Sequence, residues 1–241
     1  MLPRLEHSHN RRDIAKRLSA GPRVSYLRDW TYGGIDGTVT TFAIMAGVVG
    51  ANLSSTIVVI LGVANLLADG FSMAAGNFTG TKAEHDEYEQ LRRMEKRHID
   101  LAPEGEREEV RQIFRAKGFE GEALETVVNV LTQDRERWLE VMMREEHGMP
   151  AVARSPIRAA LYTFMAFVLC GSVPLLPYLV GLSAPELPSA IMTAVTFFAI
   201  GSVRSRWSPK SWWLAGLETL FIGMLAAGVA YLVGSWLKGL L

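Results

Sequence analysis

The chain of 241 residues contains a single cysteine, Cys170. One thiol cannot close an internal disulfide, and a cysteine-based metal site needs several thiolates, so both are excluded. The first 30 residues contain no apolar core of roughly 7–15 residues followed by a cleavage site, so we expect no removable signal peptide. Basic and acidic residues number 25 each, which gives a formal net charge of zero. We expect no nucleic-acid partner.

Charge is almost absent from the long apolar stretches of the chain. Residues 80–158 hold 14 of the 25 lysines and arginines and 18 of the 25 aspartates and glutamates. The average composition therefore conceals two populations of residues. This distribution predicts a membrane domain that is interrupted by a polar insert.

Five apolar segments are long enough, or nearly so, to cross a hydrocarbon layer, which takes about 20 helical residues. Residues 52–55 form so short a connector that the first two segments should make a tight hairpin, with Ser54 or Ser55 capping the second. Gly33 and Gly37 would allow close helix packing. We predict an all-α membrane protein whose five transmembrane helices are 33–52, 55–78, 158–180, 186–203 and 212–236.

Basic residues near the ends of spanning helices favour the cytoplasmic side. They occur in the N-terminal leader, in the insert, and in the turn that carries Arg204, Arg206 and Lys210. This pattern predicts a cytoplasmic N-terminus and insert, and a C-terminus on the opposite side. The expected organisation is a basic leader (1–30), transmembrane helices 1 and 2 (31–79), a cytoplasmic helical metal-binding domain (80–153) and transmembrane helices 3 to 5 (154–241).

Two carboxylates lie inside the first two apolar segments. Asp36 is in the first span and Asp69 in the second, with Met73 one helical turn beyond Asp69. A carboxylate in hydrocarbon costs roughly 2.5–3.5 kcal/mol, so its presence indicates contact with a cation or a proton. At 1.5 Å per residue, Asp36, Met73 and Asp69 lie about 5, 8 and 14 Å from the cytoplasmic ends of their spans. Carboxylates and a thioether at similar depth favour a borderline divalent metal. Alternatively, Asp36 only caps or snorkels at the interface.

The insert is predicted to form helices of its own. No proline follows the second span until Pro103, so that span should continue as one long helix. Pro103 then opens a helix that Gly118 ends. Two more helices follow, GEALETVVNVLT and QDRERWLEVMMREEHG, with Thr132 as a cap and Pro150 as the terminator. Their apolar stripe is sufficient for a small core. It consists of Val110, Ile113, Phe114, Val127, Val128, Val130, Leu131, Trp138 and Val141.

Candidate metal ligands recur at helical spacing in the insert. Glu95 and His98 are three residues apart, as are Glu106 and Glu109, and Met142 and Glu146 are four apart. Each pair shares a helix face. Carboxylates and Glu-x-x-His on facing helices bind two ions in carboxylate-bridged bundles. Such ligands suit Fe²⁺, Mn²⁺ and Zn²⁺, and a thioether from Met142 or Met143 would favour the transition metals.

Other interpretations of these residues stay open. Glutamates at helical spacing commonly mark a solvated face. Four histidines are expected to be exposed, namely His7, His9, His85 and His147. The insert could belong to a membrane-anchored di-iron oxidase or iron store, although Glu-x-x-His does not occur on two helices. The protein could also be a metal sensor, in which case Asp36 and Asp69 would have no purpose.

Several ordered motifs resemble the vacuolar iron transporter family, including its bacterial members. They are DGTVTTFAIMAGVVGA, NLLADGFSMAAGNF, WLEVMMREEHGM and GLETLFIGMLAAGVAYLVG, between about residues 30 and 236. The resemblance implies a five-helix homodimer, in a bacterial inner membrane, that moves Fe²⁺ or Mn²⁺ out of the cytoplasm in exchange for protons, without an organic cofactor. It implies a translocation path through Asp36 and Met73. It also implies metal ligands in the insert, namely Glu95, Glu106, Glu109, Met142, Met143 and Glu146.

The chain departs from this family pattern at two positions. His98 stands where a further glutamate is expected, and a neutral imidazole there would make binding more sensitive to pH. Asn77 stands where acidic residues are common, which removes one charge from the route between insert and pore. Glu218 in the fifth span matches the pattern. It is either a proton or metal carrier or a helix-packing hydrogen-bond partner.

Overall fold

The protein folds into helices that form two compact units. The computed structural model describes residues 8–21, 24–149 and 154–240, and no strand occurs in these ranges. The membrane unit comprises the described parts of Ser25–Lys82 and Ser155–Leu241, and the insert unit those of Met1–Val24 and Ala83–Arg154. In chain order the helices are α1 (Arg11–Ser19), α2 (Leu27–Gly50), α3 (Ser55–Leu101), α4 (Pro103–Ala116), α5 (Gly121–Thr132), α6 (Arg135–Glu145), α7 (Pro156–Ser172), α8 (Leu176–Leu179), α9 (Glu186–Arg204) and α10 (Trp212–Lys238).

Five helical segments are long and apolar enough to cross a membrane, which confirms the predicted all-α fold with five spans. These segments are Leu27–Gly50, Ser55–Leu101, Pro156–Leu179, Glu186–Trp207 and Trp212–Lys238. The first begins six residues before the predicted residue 33 and includes Asp29, which is buried. The third includes a 3₁₀ turn, Val173–Leu175, between α7 and α8. Pro174 lies in this turn, and Pro177 lies in α8 directly after it. A proline has no backbone N–H with which to continue the hydrogen bonding of a regular helix, so α7 ends here.

The hairpin between α2 and α3 closes through its backbone. Asn52 adopts a φ of 60°, a left-handed conformation that asparagine tolerates better than most residues. This turn allows Asn52 N to donate to Val49 O at 2.9 Å and Leu53 N to donate to Val48 O at 3.0 Å. Ser54 contributes its carbonyl oxygen, which accepts from Ile57 N at 3.0 Å. The last carbonyls of α2 are thereby satisfied in the manner of a Schellman motif.

Glycines on α2 bring its backbone against α7. A Cβ atom on Gly33 would lie 2.2 Å from Thr163 O, and one on Gly37 would lie 2.3 Å from Phe167 O. The close contact is formed from the side of α7 as well, because a Cβ atom on Gly171 would lie 2.6 Å from Gly37 O. The pair Gly33 and Gly37 therefore provides the close packing that its four-residue spacing predicts.

The insert unit follows the predicted helix pattern, with one correction at a cap. Pro103 opens α4, and Gly118 has a φ of +92° just beyond its end. Thr132 is the last residue of α5 and does not cap the next helix. Asp134 caps α6, its side chain accepting a hydrogen bond from Arg137 N at 2.8 Å. Pro150 lies outside the described residues.

The N-terminal leader contains α1, a helix that no sequence pattern predicted. Asn10 caps this helix, and its Oδ1 accepts from Asp13 N at 2.9 Å. The helix is nine residues long and has no buried residue. Because it has no apolar face in the core, hydrophobic periodicity could not reveal it.

A small apolar core holds the insert helices together. Val110, Val128 and Leu139 are at most 1% exposed, and Met142 is fully buried beside them. Ile113, Phe114, Leu131 and Val141 pack at the margin of this core, as their position in the apolar stripe predicts. Val130 is 47% exposed, so its inclusion in the stripe was wrong.

Replacing Gly37 by alanine should destabilise the protein, because the added methyl group would meet the backbone of α7. Overpacking of this kind costs about 1–3 kcal/mol. Gly228→Ala, on α10, is the matched control, since nothing lies within 4 Å of the position that its methyl group would take. Thermal unfolding of both variants in detergent measures the difference, and equal unfolding midpoints would contradict the assigned helix contact.

Candidate metal sites

Two glutamates of the insert unit are buried. Glu95 on α3 is 1% exposed and Glu106 on α4 is 5% exposed. The Oε2 atoms of both lack a hydrogen-bond donor among the residues that the structure describes, and the two carboxyl groups lie close enough to share a proton. A buried carboxylate that lacks a partner is strongly destabilising in its charged form. These two oxygens therefore favour a bound proton or a bound cation.

Two imidazoles face the buried carboxylates. His147 Nε2 lies 3.0 Å from Glu95 Oε1. His98 Nδ1 lies 3.5 Å from Glu106 Oε1 and 3.8 Å from Glu95 Oε1. Glu95 is thus the common neighbour of both histidines.

These side chains form two groups that could each hold a metal ion. One group is Glu95, Glu146 and His147, and the other is Glu95, His98 and Glu106. Within each group the ligand atoms lie within 4.8 Å of one another. Oxygen and nitrogen ligands at about 2.1 Å from one ion can be separated by at most about 4.2 Å. Small side-chain movements would therefore complete either site.

Because the carboxylates of this cluster lie close together and are partly removed from water, the pKa values of two of them are raised. Burial, followed by the nearby charges of Glu109 and Glu95, raises the pKa of Glu106 to about 7. Burial and the charges of Glu109 and Glu95 also raise the pKa of Glu146, although His147 partly opposes this effect. Without a metal, part of the cluster therefore carries protons near neutral pH. A divalent cation would displace them.

The structure brings together four of the predicted ligands of the insert and adds one. Glu95, His98, Glu106 and Glu146 belong to the two groups. The expectation that His147 is exposed was wrong, because its side chain is 16% exposed and contacts Glu95. His147 follows the last turn of α6, where helical spacing no longer predicts which way a side chain faces. Its adjacency to Glu146 was the available signal.

The remaining predicted ligands of the insert stand apart from these two groups. Glu109 is exposed and belongs to neither group, although its charge acts on both Glu106 and Glu146. Met142 and Met143 are 0% and 3% exposed and belong to the apolar core. Thioether ligation by either methionine stays a prediction. His9 and His85 are exposed, as expected, and His7 lies outside the described residues.

The membrane unit contains a second set of polar side chains. Asp69 lies close enough to Asp36 for their charges to interact, and Met73 is half-buried one turn beyond Asp69. Because α2 begins at Leu27, Asp36 is about 14 Å along its helix rather than about 5 Å. The helix that carries Asp36 begins at Leu27 rather than at the predicted residue 33.

A polar stripe on α3 extends this set in both directions. It consists of Asn65, Asp69, Met73 and Asn77, each four residues from the next. Asn65 Nδ2 donates to Thr40 Oγ1 at 3.2 Å, and Thr40 Oγ1 donates to Asp36 O at 2.9 Å. Neither Asn65 nor Thr40 was predicted from the sequence. Continuing the four-residue spacing beyond Asp69 and Met73 would have found Asn65.

Asn77 occupies the other end of the stripe and joins three helices. Its Nδ2 donates to Asp29 Oδ1 at 2.8 Å and to Thr163 Oγ1 at 2.7 Å. Asp29 is 2% exposed, so an amide donor removes much of the cost of its burial. We expected Asn77 only to remove the negative charge that an acidic residue would carry at this position. The structure shows that its amide also donates a hydrogen bond to the buried carboxylate of Asp29.

Glu218 on α10 forms ion pairs at the end of the membrane unit where α9 ends. Its Oε2 accepts from Arg204 Nη2 at 2.9 Å and from Lys210 Nζ at 3.0 Å. These contacts give Glu218 a structural role. Its part in a translocation path stays a prediction.

The fold and these groups define a multi-pass membrane protein with clustered candidate ligands for metal ions. A profile of the VIT family matches residues 27–235. Vacuolar iron transporter 1 of Arabidopsis thaliana is 34% identical over 220 residues, covering 90% of this chain and 86% of that protein. Vacuolar iron transporter 1 of Oryza sativa subsp. japonica is 32% identical, with 93% and 89% covered. A vacuolar iron transporter of Toxoplasma gondii is also 32% identical, with 88% and 74% covered.

This chain belongs to the VIT family. It is a transporter and not an enzyme, so the oxidase alternative is not supported.

Glu95→Gln should weaken divalent metal binding roughly tenfold or more, because ligand-shell changes commonly have effects of this size. Glu95 belongs to both groups, whereas Glu146 belongs to one. Glu146→Gln should therefore remove one class of site and leave the other. Calorimetric titration of the full-length protein with Mn²⁺ measures both effects. Glu122→Gln, on the exposed face of α5, is the control, and an equal loss in that variant would contradict the assignment.

The metal-free protein should lose stability as pH rises through about 7. The folded-state pKa of Glu106 is about 7 against an ordinary 4.5. A raised pKa contributes stability that is complete below 4.5 and is lost as the folded-state carboxyl ionises. Thermal unfolding in detergent across this range, with and without Mn²⁺, measures the effect, and Mn²⁺ should stabilise most at high pH.

Glu106→Gln is the matching variant, because it keeps the shape of the side chain but cannot ionise. Its unfolding midpoint should vary much less with pH. An unchanged pH profile would show that another group is responsible.

Proposed function

We propose that the protein transports a divalent transition metal, Fe²⁺ or Mn²⁺, out of the cytoplasm in exchange for protons. The observation that carries this proposal is the pair of interacting carboxylates, Asp36 and Asp69, on two membrane-spanning helices. Met73 shares the face of α3 that carries Asp69. Carboxylates at such positions are costly unless they meet a cation or a proton.

The ligand types support a transition metal as the transported ion. Carboxylate oxygens and imidazole nitrogens suit Fe²⁺, Mn²⁺ and Zn²⁺. The relatives from Arabidopsis, rice and Toxoplasma bear names that specify iron. We assign the capture of the ion to the insert, through Glu95, His98, Glu106, Glu146 and His147, with Glu109, Met142 and Met143 as further candidate ligands. No organic cofactor is needed for this function.

Proton exchange is supported by the competition between protons and metal for the same groups. Carboxylates and imidazoles must be deprotonated to coordinate a metal. The pKa of Glu106 is raised to about 7 by burial and neighbouring charges. Its protonation would therefore respond to pH changes near neutrality. In the membrane unit, a proton arriving from the far side would compete with the metal at Asp36 and Asp69.

A homodimer would explain the surface of α3. Asp69 is exposed on the single chain, as are Ser72 and Gly76 on the following turns. An exposed carboxylate on a spanning helix would meet lipid at considerable cost. A second copy packed against this face would cover Asp69 and place the metal path between the two subunits. The small residues nearby favour close helix packing.

The direction of transport rests on the distribution of basic residues, which favours a cytoplasmic N-terminus and insert. The insert then collects the ion, and its carboxylates raise the local concentration of cations. Asp36 and Met73 receive it, and protonation of the intramembrane carboxylates releases it on the opposite side. Glu218 is a further candidate carrier of this path. By this proposal the protein resides in a bacterial inner membrane.

Metal flux into proteoliposomes tests the proposal. Fe²⁺, Mn²⁺ and Zn²⁺ are compared with and without a pH gradient, and the gradient should accelerate flux of the transported ions. Asp36→Ala and Asp36→Asn should abolish flux while leaving calorimetric binding of Mn²⁺ by the insert intact. Glu186→Gln, an exposed carboxylate at the start of α9, is the control and should transport normally.

Normal flux through the Asp36 variants would refute the path through Asp36. Flux that is indifferent to the pH gradient would refute proton exchange and leave metal transport standing. Cross-linking of a cysteine placed at Ser72 should trap a dimer, and its failure would contradict the proposed subunit contact.

A further inference from the structure

A basic cavity of about 570 Å³ lies in the membrane unit where α2 and α10 begin and α9 ends. Its charged lining consists of Arg28, Arg204, Lys210 and Glu218. Three cationic side chains therefore face one carboxylate. Neither Asp36 nor Asp69 is among the described residues that line it, so the cavity is distinct from the part of the proposed metal path that these two carboxylates form.

The single carboxylate leaves much of this positive charge uncompensated. Arg204 Nη2 and Lys210 Nζ both contact the same oxygen, Glu218 Oε2, at 2.9 and 3.0 Å. Arg204 Nε is buried and has no hydrogen-bond partner within the described part of the chain. Arg28 lies over the ring of Tyr32, 5.3 Å from its centroid. An additional anion would satisfy donors that Glu218 alone cannot.

Hydroxyl groups and a helix end add to the anion-binding character of the cavity. Ser25, Thr31 and Ser208 line it, as does Leu27, the first residue of α2. Leu27 N already donates to Ser25 Oγ at 3.3 Å, so this helix end contributes the partial positive charge of its N-terminus. The lining therefore combines cationic side chains with neutral donors, which is the combination that phosphate-binding sites use.

The position of the cavity along the helices points to a lipid. Leu27 begins one spanning segment and Trp207 ends another, and both line the cavity. Trp207 is 62% exposed and Tyr32 is 54% exposed. Tryptophan and tyrosine concentrate at the boundary between hydrocarbon and water, at the depth of lipid headgroups. A volume of this size is within the range of pockets that hold small ligands.

We propose that this cavity binds the phosphate-bearing headgroup of an anionic lipid. Arg28 and Arg204 contact the phosphate oxygens through charge-assisted hydrogen bonds, and Lys210 divides its charge between the phosphate and Glu218. Basic pockets between membrane helices are known to select such headgroups. The acyl chains extend along the outer faces of α9 and α10, where Val195, Val203 and Leu214 are exposed.

Lipid binding to the full-length protein in a neutral detergent tests this proposal. Phosphatidylglycerol, phosphatidylcholine with the same acyl chains, and inorganic phosphate are added separately. Thermal unfolding and native mass spectrometry report stabilisation and the number of bound lipids. Phosphatidylglycerol should raise the unfolding midpoint and be retained, whereas phosphatidylcholine and inorganic phosphate at equal concentration should do neither.

Two variants and a matched control locate the binding site. The double variant Arg28→Gln with Lys210→Gln should lower the apparent affinity for phosphatidylglycerol about tenfold, since charged hydrogen bonds of this kind are lost. Lys210→Gln alone, at a side chain that is 54% exposed, should show a smaller loss and is the second variant if the double variant fails to fold. Arg206→Gln removes the same charge from the same turn, but Arg206 does not line the cavity. It should bind phosphatidylglycerol as the unaltered protein does.

Any one of four results would overturn the proposal. Equal stabilisation by inorganic phosphate would assign the cavity to a soluble anion. Equal stabilisation by phosphatidylcholine would show that charge is not recognised. An equal loss of affinity in Arg206→Gln, or no loss in Lys210→Gln and the double variant, would place the lipid elsewhere. None of these results depends on metal transport, so this proposal and the proposed function can fail separately.

Discussion

Removing a carboxylate from water is strongly unfavourable unless a proton, a cation or hydrogen-bond donors compensate for the lost hydration. This constraint acts on both units of the protein. Glu95 and Glu106 are buried within the insert unit, and Asp29 is buried within the membrane unit. The way in which each one is compensated separates structural carboxylates from those available to a metal.

Asp29 is an example of a structural carboxylate, and Glu95 is an example of a carboxylate that is available to a metal. Asp29 receives a hydrogen bond from Asn77, which also bonds Thr163, so the carboxylate helps to join α2, α3 and α7. Glu95 has an imidazole on one oxygen and, within the described residues, no hydrogen-bond donor on the other. The first arrangement stabilises the unoccupied fold. The second leaves coordination capacity unused, which is what a site that binds and releases an ion requires.

Sequence patterns predicted most of the fold because its determinants are periodic and local. Apolar segments, prolines at helix starts and a glycine beyond α4 located the five spans and the insert helices. Helical spacing also grouped Glu95 with His98, since both lie on α3. It failed where the backbone leaves the helix, as at His147, and at the start of the first span, which was predicted at residue 33 whereas α2 begins at Leu27. The burial of Asp29 within α2 is compensated by a hydrogen bond from Asn77. These two residues are 48 positions apart in the chain, and no rule of helical spacing relates residues so far apart.

Glu95 belongs to both groups of candidate ligands in the insert unit. Occupation of one group therefore changes the other, because a carboxylate that already neutralises one divalent ion attracts a second less strongly, and two such ions repel each other. Successive ions would bind with decreasing affinity. This negative cooperativity would spread the response of the insert over a wider range of metal concentration than two independent sites could cover.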